Sequence, residues 1–170
     1  MKNMQGMEHG PAKGGPHSGK PLSMYGRFLI MAIVMFTAMY LIMYAMIDKV
    51  DNLIPNINNL YMTLLMTAAM LLIELGLMKS MYKKSKLNWA IVIISVAVGI
   101  FSWLGIREQI NVGDQQFVKG MIPHHAAAVL MSEKARLTDP ELVQLQKSIL
   151  KTQAGEIEFM KRKLKAFDAK

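Results

Sequence analysis

The sequence predicts an all-α protein in which three transmembrane helices precede an antiparallel helical hairpin outside the bilayer. Three observations predict it. Three apolar stretches lie between positions 28 and 106, and each has the roughly 20 residues that cross a hydrocarbon core at about 1.5 Å per residue. The 170 residues are 52% hydrophobic, although the last third of the chain is charged; that balance belongs to a membrane protein. After residue 107, apolar side chains recur every three or four positions in two runs separated by Thr138-Asp139-Pro140, the spacing of two amphipathic helices. The chain therefore divides into a tail (1–24), a transmembrane region (25–106) and a candidate metal-binding hairpin (107–170).

The tail is rich in Gly and Pro and has no apolar period, which predicts an unstructured segment. It carries Met1, Met4, Met7, His9 and His17. Met4, Met7 and His9 form a loose set of thioether and imidazole ligands that would suit Cu(I); chance neighbours in a tail are the plain alternative.

Phe28 to Ile47 is the first predicted span, free of charge and too long for a signal-peptide core. Leu60 to Met78 is the second, interrupted only by Glu74, and Leu87 to Ile106 is the third. Lys2, Lys13, Lys20 and Arg27 precede the first span, and Lys79, Lys83, Lys84 and Lys86 fill the second connection, whereas the first connection has only Lys49 beside Asp48 and Asp51. The positive-inside rule then puts the N-terminus in the cytoplasm and everything after Ile106 outside. The net charge of +8 reads as a topology and lipid-headgroup signal, so no nucleic-acid partner is expected. Tyr25, Tyr82 and Trp89 fall at the inner boundary, and Tyr61 and Trp103 at the outer one.

Met31, Met35, Met39 and Met43 recur along the first span, and Met62, Met66, Met70 and Met78 along the second, with Glu74 in the same series. A four-residue step overshoots one turn by about 40°, so these rows wind as ridges. Ridge-in-groove packing accounts for them; a thioether ladder passing Cu(I) through the bilayer is the sharper reading. Glu74 is costly inside a span and marks a functional candidate. It is either protonated, or hydrogen-bonded to Thr63 or Thr67 of a neighbouring copy or to Tyr40 of the first span. Ser95, Gly99 and Ser102 make the third span fit for close helix approach.

In the hairpin, Asn111 to Asp114 reads as a turn and helix cap. Phe117, Met121, His124, Ala128, Met131 and Ala135 then mark one helical face. Pro123 predicts a kink or a fresh helix start. Thr138 to Glu141 reads as a capping box with Thr138 as the cap. The second helix runs to about Phe167, with Leu142, Leu145, Ile149, Gln153, Glu156 or Ile157, Met160, Leu164 and Phe167 as its buried stripe.

Cysteine is absent, so a metal would have to be held by His, Met, carboxylate or backbone groups. Met121 lies one turn from both His124 and His125, and Met131 two turns from His124. Folding the hairpin brings Met160 and Glu156 toward Met121 and His124, with Gln153 nearer Met131. Thioethers favour Cu(I), and imidazole accepts both Cu(I) and Cu(II); zinc would more often meet Cys, or His with carboxylate. Met121, His124, His125, Met131 and Met160 are the candidate ligands, and Gln153 or Glu156 a candidate for orienting an imidazole ring. No nucleophile triad and no phosphate-binding glycine loop is present, so an enzyme is not expected.

Gln116-Phe117, Met121-Ile122-Pro123-His124-His125, Ala128, Met131, Thr138-Asp139-Pro140-Glu141-Leu142, Gln153, Glu156-Ile157 and Met160 together resemble the signature of the bacterial "domain of unknown function 305" family. The resemblance covers about residues 111 to 167. It implies a ferritin-like helical fold, a periplasmic location at the bacterial inner membrane, and an association with copper binding and tolerance, with the five His and Met candidates as ligands. Other members often have a polar residue where Ala126 stands. Their domain is also often a fuller bundle. A lone hairpin of this size is marginal, so it is expected to complete a four-helix bundle with a second copy or to dock on the outer ends of the spans. The expected function is copper capture or sequestration outside the membrane. The alternatives are a non-metal oligomerisation module, or a subunit of a metal transporter built around Glu74.

Overall fold

A computed structural model describes residues 23–169. These form five α-helices: α1 (Met24–Ile42), α2 (Ile57–Leu77), α3 (Ser85–Arg107), α4 (Asp114–Lys134) and α5 (Pro140–Asp168), with a short 3-10 turn at Val50–Asn52. Among the described residues there is no strand. The Met4, Met7 and His9 ligand set lies outside the described residues.

Helices α1 to α3 are long and apolar enough to cross a membrane. The first ends earlier than hydropathy predicts, at Ile42 rather than Ile47. Tyr44, Ala45 and Ile47 donate to carbonyls only three residues back, those of Leu41, Ile42 and Tyr44. This tightening closes the helix. The apolar residues beyond it have other work: Tyr44 is buried with its hydroxyl 3.2 Å from the Ile54 carbonyl, and Ile47 packs on the core between α4 and α5.

The contact between α2 and α3 is the most extensive in the apolar region, as the small residues of α3 predict. Ser95 and Ser102 are buried, and a Cβ at Gly99 would sit 3.8 Å from that of Ala68. The methionine rows do not behave alike. Met31, Met35 and Met39 of α1 and Met43 just beyond its end are all half-buried, and the Met43 sulfur accepts from the Thr63 hydroxyl at 3.5 Å. On α2, Met66 is half-buried but Met62 and Met70 are exposed, as expected of a row that drifts about 40° per step.

Glu74 lies in the last turn of α2. Within the chain its partner is not Tyr40: the Tyr82 hydroxyl, from the α2–α3 connection, donates to its carboxylate at 3.4 Å. Burial pushes the Tyr82 phenol above its ordinary value, and the Glu74 carboxylate adds to the rise.

Helices α4 and α5 lie side by side in opposite directions. At one end the Gln115 side-chain amide donates to Asp168 at 2.8 Å. At the other, the Gln146 amide donates to the carbonyls of Ser132 and Ala135, closing the C-terminus of α4. Helix α4 runs unbroken through Pro123. The proline therefore neither starts a new helix nor ends one; it withholds the amide that would have served the Lys119 carbonyl.

The cap of α5 is Asp139, not Thr138: its carboxylate accepts from the Glu141 and Leu142 amides at 2.9 and 3.0 Å. Pro140 in the first turn fixes the helix start one residue later than a Thr138 cap requires. Replacing Asp139 with Ala is expected to lower stability by about 1 kcal/mol in a thermal melt, and Thr138→Ala to leave it within about 0.5 kcal/mol.

The α4–α5 pair sits on the end of the apolar region that holds the start of α2 and the end of α3. Ile47 and Ile54 pack against its core. The Gln116 side-chain oxygen accepts from the Ile57 amide at 3.3 Å. Asn58 and Gln109 exchange side-chain hydrogen bonds of 3.1 and 3.3 Å, and the Tyr61 hydroxyl donates to the Ile110 carbonyl at 3.0 Å.

Candidate metal centre

The buried face of α4 is offset by about one residue from the face that Phe117, Met121, His124, Ala128, Met131 and Ala135 mark. Val118, Ile122, His125, Ala126 and Val129 are buried, and with Ile157 and Met160 of α5 they line the interface between the two helices. Phe117 and Met131, on the face the spacing marks, are 54% and 52% exposed. On α5, Leu142 and Leu145 of the predicted stripe are likewise exposed, while Leu150, Leu164 and Phe167 pack on the core. One apolar series of α4 reads 117, 121, 124, 128, 131, and the other 118, 122, 125, 129. Both have helical period, and the second contains the β-branched residues that fill the groove against α5.

The five ligand candidates therefore fall into two groups. His125 and Met160 are buried, with Met121 half-buried against the same core. His124 and Met131 are exposed. The adjacent imidazoles stand with ring centroids 6.4 Å apart and planes at 62°, one ring inside the helix pair and the other outside.

His125 is fixed at both nitrogens. Its Nδ1 is 2.9 Å from the Met121 carbonyl oxygen. That oxygen can only accept, so Nδ1 carries a hydrogen and donates. Its Nε2 is 2.9 Å from the Glu156 carboxylate. With Nδ1 already protonated, a proton must also lie in this second contact, held by the imidazole or by the carboxyl. The His125 side chain is 11% exposed and that of Glu156 is 49% exposed, so water reaches the outer side of the pair and weakens its Coulombic part. This is the one ion-pair contact among the described residues.

Of the two candidates for orienting an imidazole ring, Glu156 is the one in contact with His125. Gln153 is half-buried and makes no side-chain hydrogen bond among the described residues. Among the described residues, no three His, Asp or Glu side chains gather into a metal-holding group. Thioether sulfurs, or donors from a second chain, would have to complete any coordination here. Three contacts that shape this region were not read from the sequence: Gln146 closing α4, Gln115 with Asp168, and Asn58 with Gln109. Long polar side chains at helix ends are the only sequence signal for them, and that signal names no partner.

A family model described as "Domain of unknown function (DUF305)" matches residues 107–169. An uncharacterized protein of Acanthamoeba polyphaga mimivirus is 35% identical over 135 residues, covering 78% of this chain and 87% of that protein. The aligned length exceeds everything that follows residue 107, so the likeness reaches into the apolar helices. No solved structure matches the chain.

Proposed function

The chain belongs to the DUF305 family, and from that premise we propose that it is a non-enzymatic copper-binding membrane protein that captures or sequesters copper outside the cytoplasmic membrane. The observation that carries this is the contrast between the two adjacent imidazoles. His124 is exposed, one turn from the Met121 thioether, so α4 offers an accessible nitrogen and a soft sulfur to a cation approaching from water. Such a pair suits Cu(I), and its imidazole also accepts Cu(II). His125 is held ready beside it. A cation that takes its Nε2 must displace the proton in the contact with Glu156, which leaves the carboxylate beside the site as a neutralising neighbour.

In the proposed placement, α1 to α3 span the bacterial inner membrane and the lysine-rich α2–α3 connection faces the cytoplasm. A second copy completes the site. Phe117, His124 and Met131 follow one another at seven-residue steps on the exposed side of α4, and Leu142, Leu145 and Phe159 are exposed on α5. A two-helix unit outside the bilayer that leaves this much apolar surface open gains by pairing. Two such units make a four-helix bundle, the ferritin-like arrangement that the resemblance implies, with His124 and Met131 of both copies at the seam.

The test is titration of the full-length protein in detergent with Cu(I) against a competing chelator. His124→Ala/His125→Ala is expected to lose at least about a hundredfold in affinity. Equal binding by the double variant would remove the proposal. The exposed apolar side also supports a second reading, a membrane-anchored module that dimerises without metal. A dimer unaffected by copper and by loss of both histidines would favour that one.

A further inference from the structure

A cavity of about 510 Å³ opens between the C-terminal end of α2 and the start of α3, lined among others by Leu72, Gly76, Lys79, Lys83, Trp89 and Val92. We propose that it is a binding site for an anionic glycerophospholipid, with the headgroup phosphate between Lys79 and Lys83 and an acyl chain descending along Gly76. The volume is that of a small-molecule pocket. Its composition is split in the manner of a lipid. The wall toward the middle of the helices is apolar, with Leu72 and Val92, and the mouth is cationic.

Lys79 and Lys83 are exposed, and neither has a carboxylate partner among the described residues. Two ammonium groups without counter-charge at one mouth fit a phosphate rather than a zwitterionic headgroup of no net charge. The groove is open down to the backbone at its centre: a Cβ on Gly76 would meet nothing within 4 Å. Trp89 is 65% exposed at the rim, where an indole sits at headgroup depth.

The mouth is built in advance. The Tyr25 hydroxyl donates to the Asn88 side-chain oxygen at 2.9 Å and accepts from the Lys84 amide at 2.9 Å. The Asn88 amide donates to the Tyr82 carbonyl at 2.7 Å. Helix α1 thereby fixes the connection that carries both lysines. Lys84 is occupied separately, its ammonium lying 5.9 Å from the Tyr25 ring centroid.

This site rests on the membrane placement proposed above and is independent of copper. It is tested with the full chain in detergent, offered equimolar phosphatidylglycerol and phosphatidylcholine and examined by native mass spectrometry. The expected result is a phosphatidylglycerol adduct preferred by about tenfold or more. Lys79→Gln/Lys83→Gln should abolish the preference, and Lys49→Gln, in the other connection, should keep it. Gly76→Leu should weaken both lipids by filling the groove. Equal retention of the two lipids, or a preference that survives the double lysine variant, would overturn the site. Inorganic phosphate that binds at the lysines and is not displaced by phosphatidylglycerol would do so too. Membrane fractionation of the expressed protein tests the placement by itself, so failure of the lipid site and failure of the placement are told apart.

Discussion

Ile122→Ala is expected to destabilise the α4–α5 pair by about 3 kcal/mol, within the range for emptying a filled core position. Ile122 is 0% exposed, the centre of the cluster formed with Val118, Ala126, Val129, Ile157 and Met160. Small helical units have little stability to spare, so a loss of this size removes much of what holds α5 to α4. Hydrogen exchange of the α4 and α5 amides in the full-length protein measures it: protection should collapse there and persist in α2 and α3. Phe117→Ala, at an exposed position one residue from the core face, should change the protection of a single copy little. Equal protection in Ile122→Ala and wild type would mean that the buried face has been assigned wrongly. Because His125 belongs to that face, the variant should also release its ring from Glu156.

Gly105→Ala is the second large effect. A Cβ there would lie 2.9 Å from two carbons of the Tyr61 ring, closer than carbon atoms pack. The ring cannot readily move aside. Its hydroxyl is tied to the Ile110 carbonyl, and it meets Phe101 edge-on with centroids 5.9 Å apart. Overpacking of this kind costs about 1–3 kcal/mol, set against at most about 1 kcal/mol gained in helix propensity, so a net loss is expected. The strain should appear in the connection between α3 and α4, where Gln109 and Asn111 already hold left-handed backbone, φ 49° and 57°. Thermal unfolding in detergent and faster exchange at residues 108–113 are the readouts. Gly76→Ala, which meets nothing within 4 Å, is the matched control and should not destabilise. A melting temperature for Gly105→Ala at or above that of the control would contradict the close approach of α2 and α3.

The apolar helices were legible in the sequence because a bilayer leaves few ways to satisfy a backbone. Uncharged runs bounded by charged or polar residues mark such helices by length and composition. The end of α1 was not legible, since Met43 to Ile47 are as apolar as the helix before them. Only the contacts of Tyr44 with Ile54, and of Ile47 with the core of α4 and α5, show why the chain turns early. The break at Thr138-Asp139-Pro140 was plain, but which residue caps depended on Pro140 taking the first turn.

The phase of α4 was the costly ambiguity. Two apolar series one residue apart both fit a helix, and the spacing of Phe117 to Met131 does not tell that Val118 to Val129, with His125, is the buried one. A carboxylate orienting partner was foreseeable from the three- and four-residue spacing of Gln153, Glu156 and Met160. That Glu156 rather than Gln153 meets the ring, and that the ring is His125, follows from the phase and was not available without it. The Glu74–Tyr82 contact was hidden for another reason: its partner lies in a connection, where spacing rules do not reach.

In the proposed site, imidazole nitrogen and thioether sulfur of α4 bind copper together. X-ray absorption at the copper edge on the copper-loaded, full-length protein in detergent tests it most directly, since it reports the element, its oxidation state and its neighbours at once. The expected shell contains both nitrogen and sulfur, with nitrogen lost in His124→Ala/His125→Ala and sulfur reduced in Met121→Leu/Met131→Leu. A shell of oxygen alone, or one unchanged by either pair of substitutions, would contradict it.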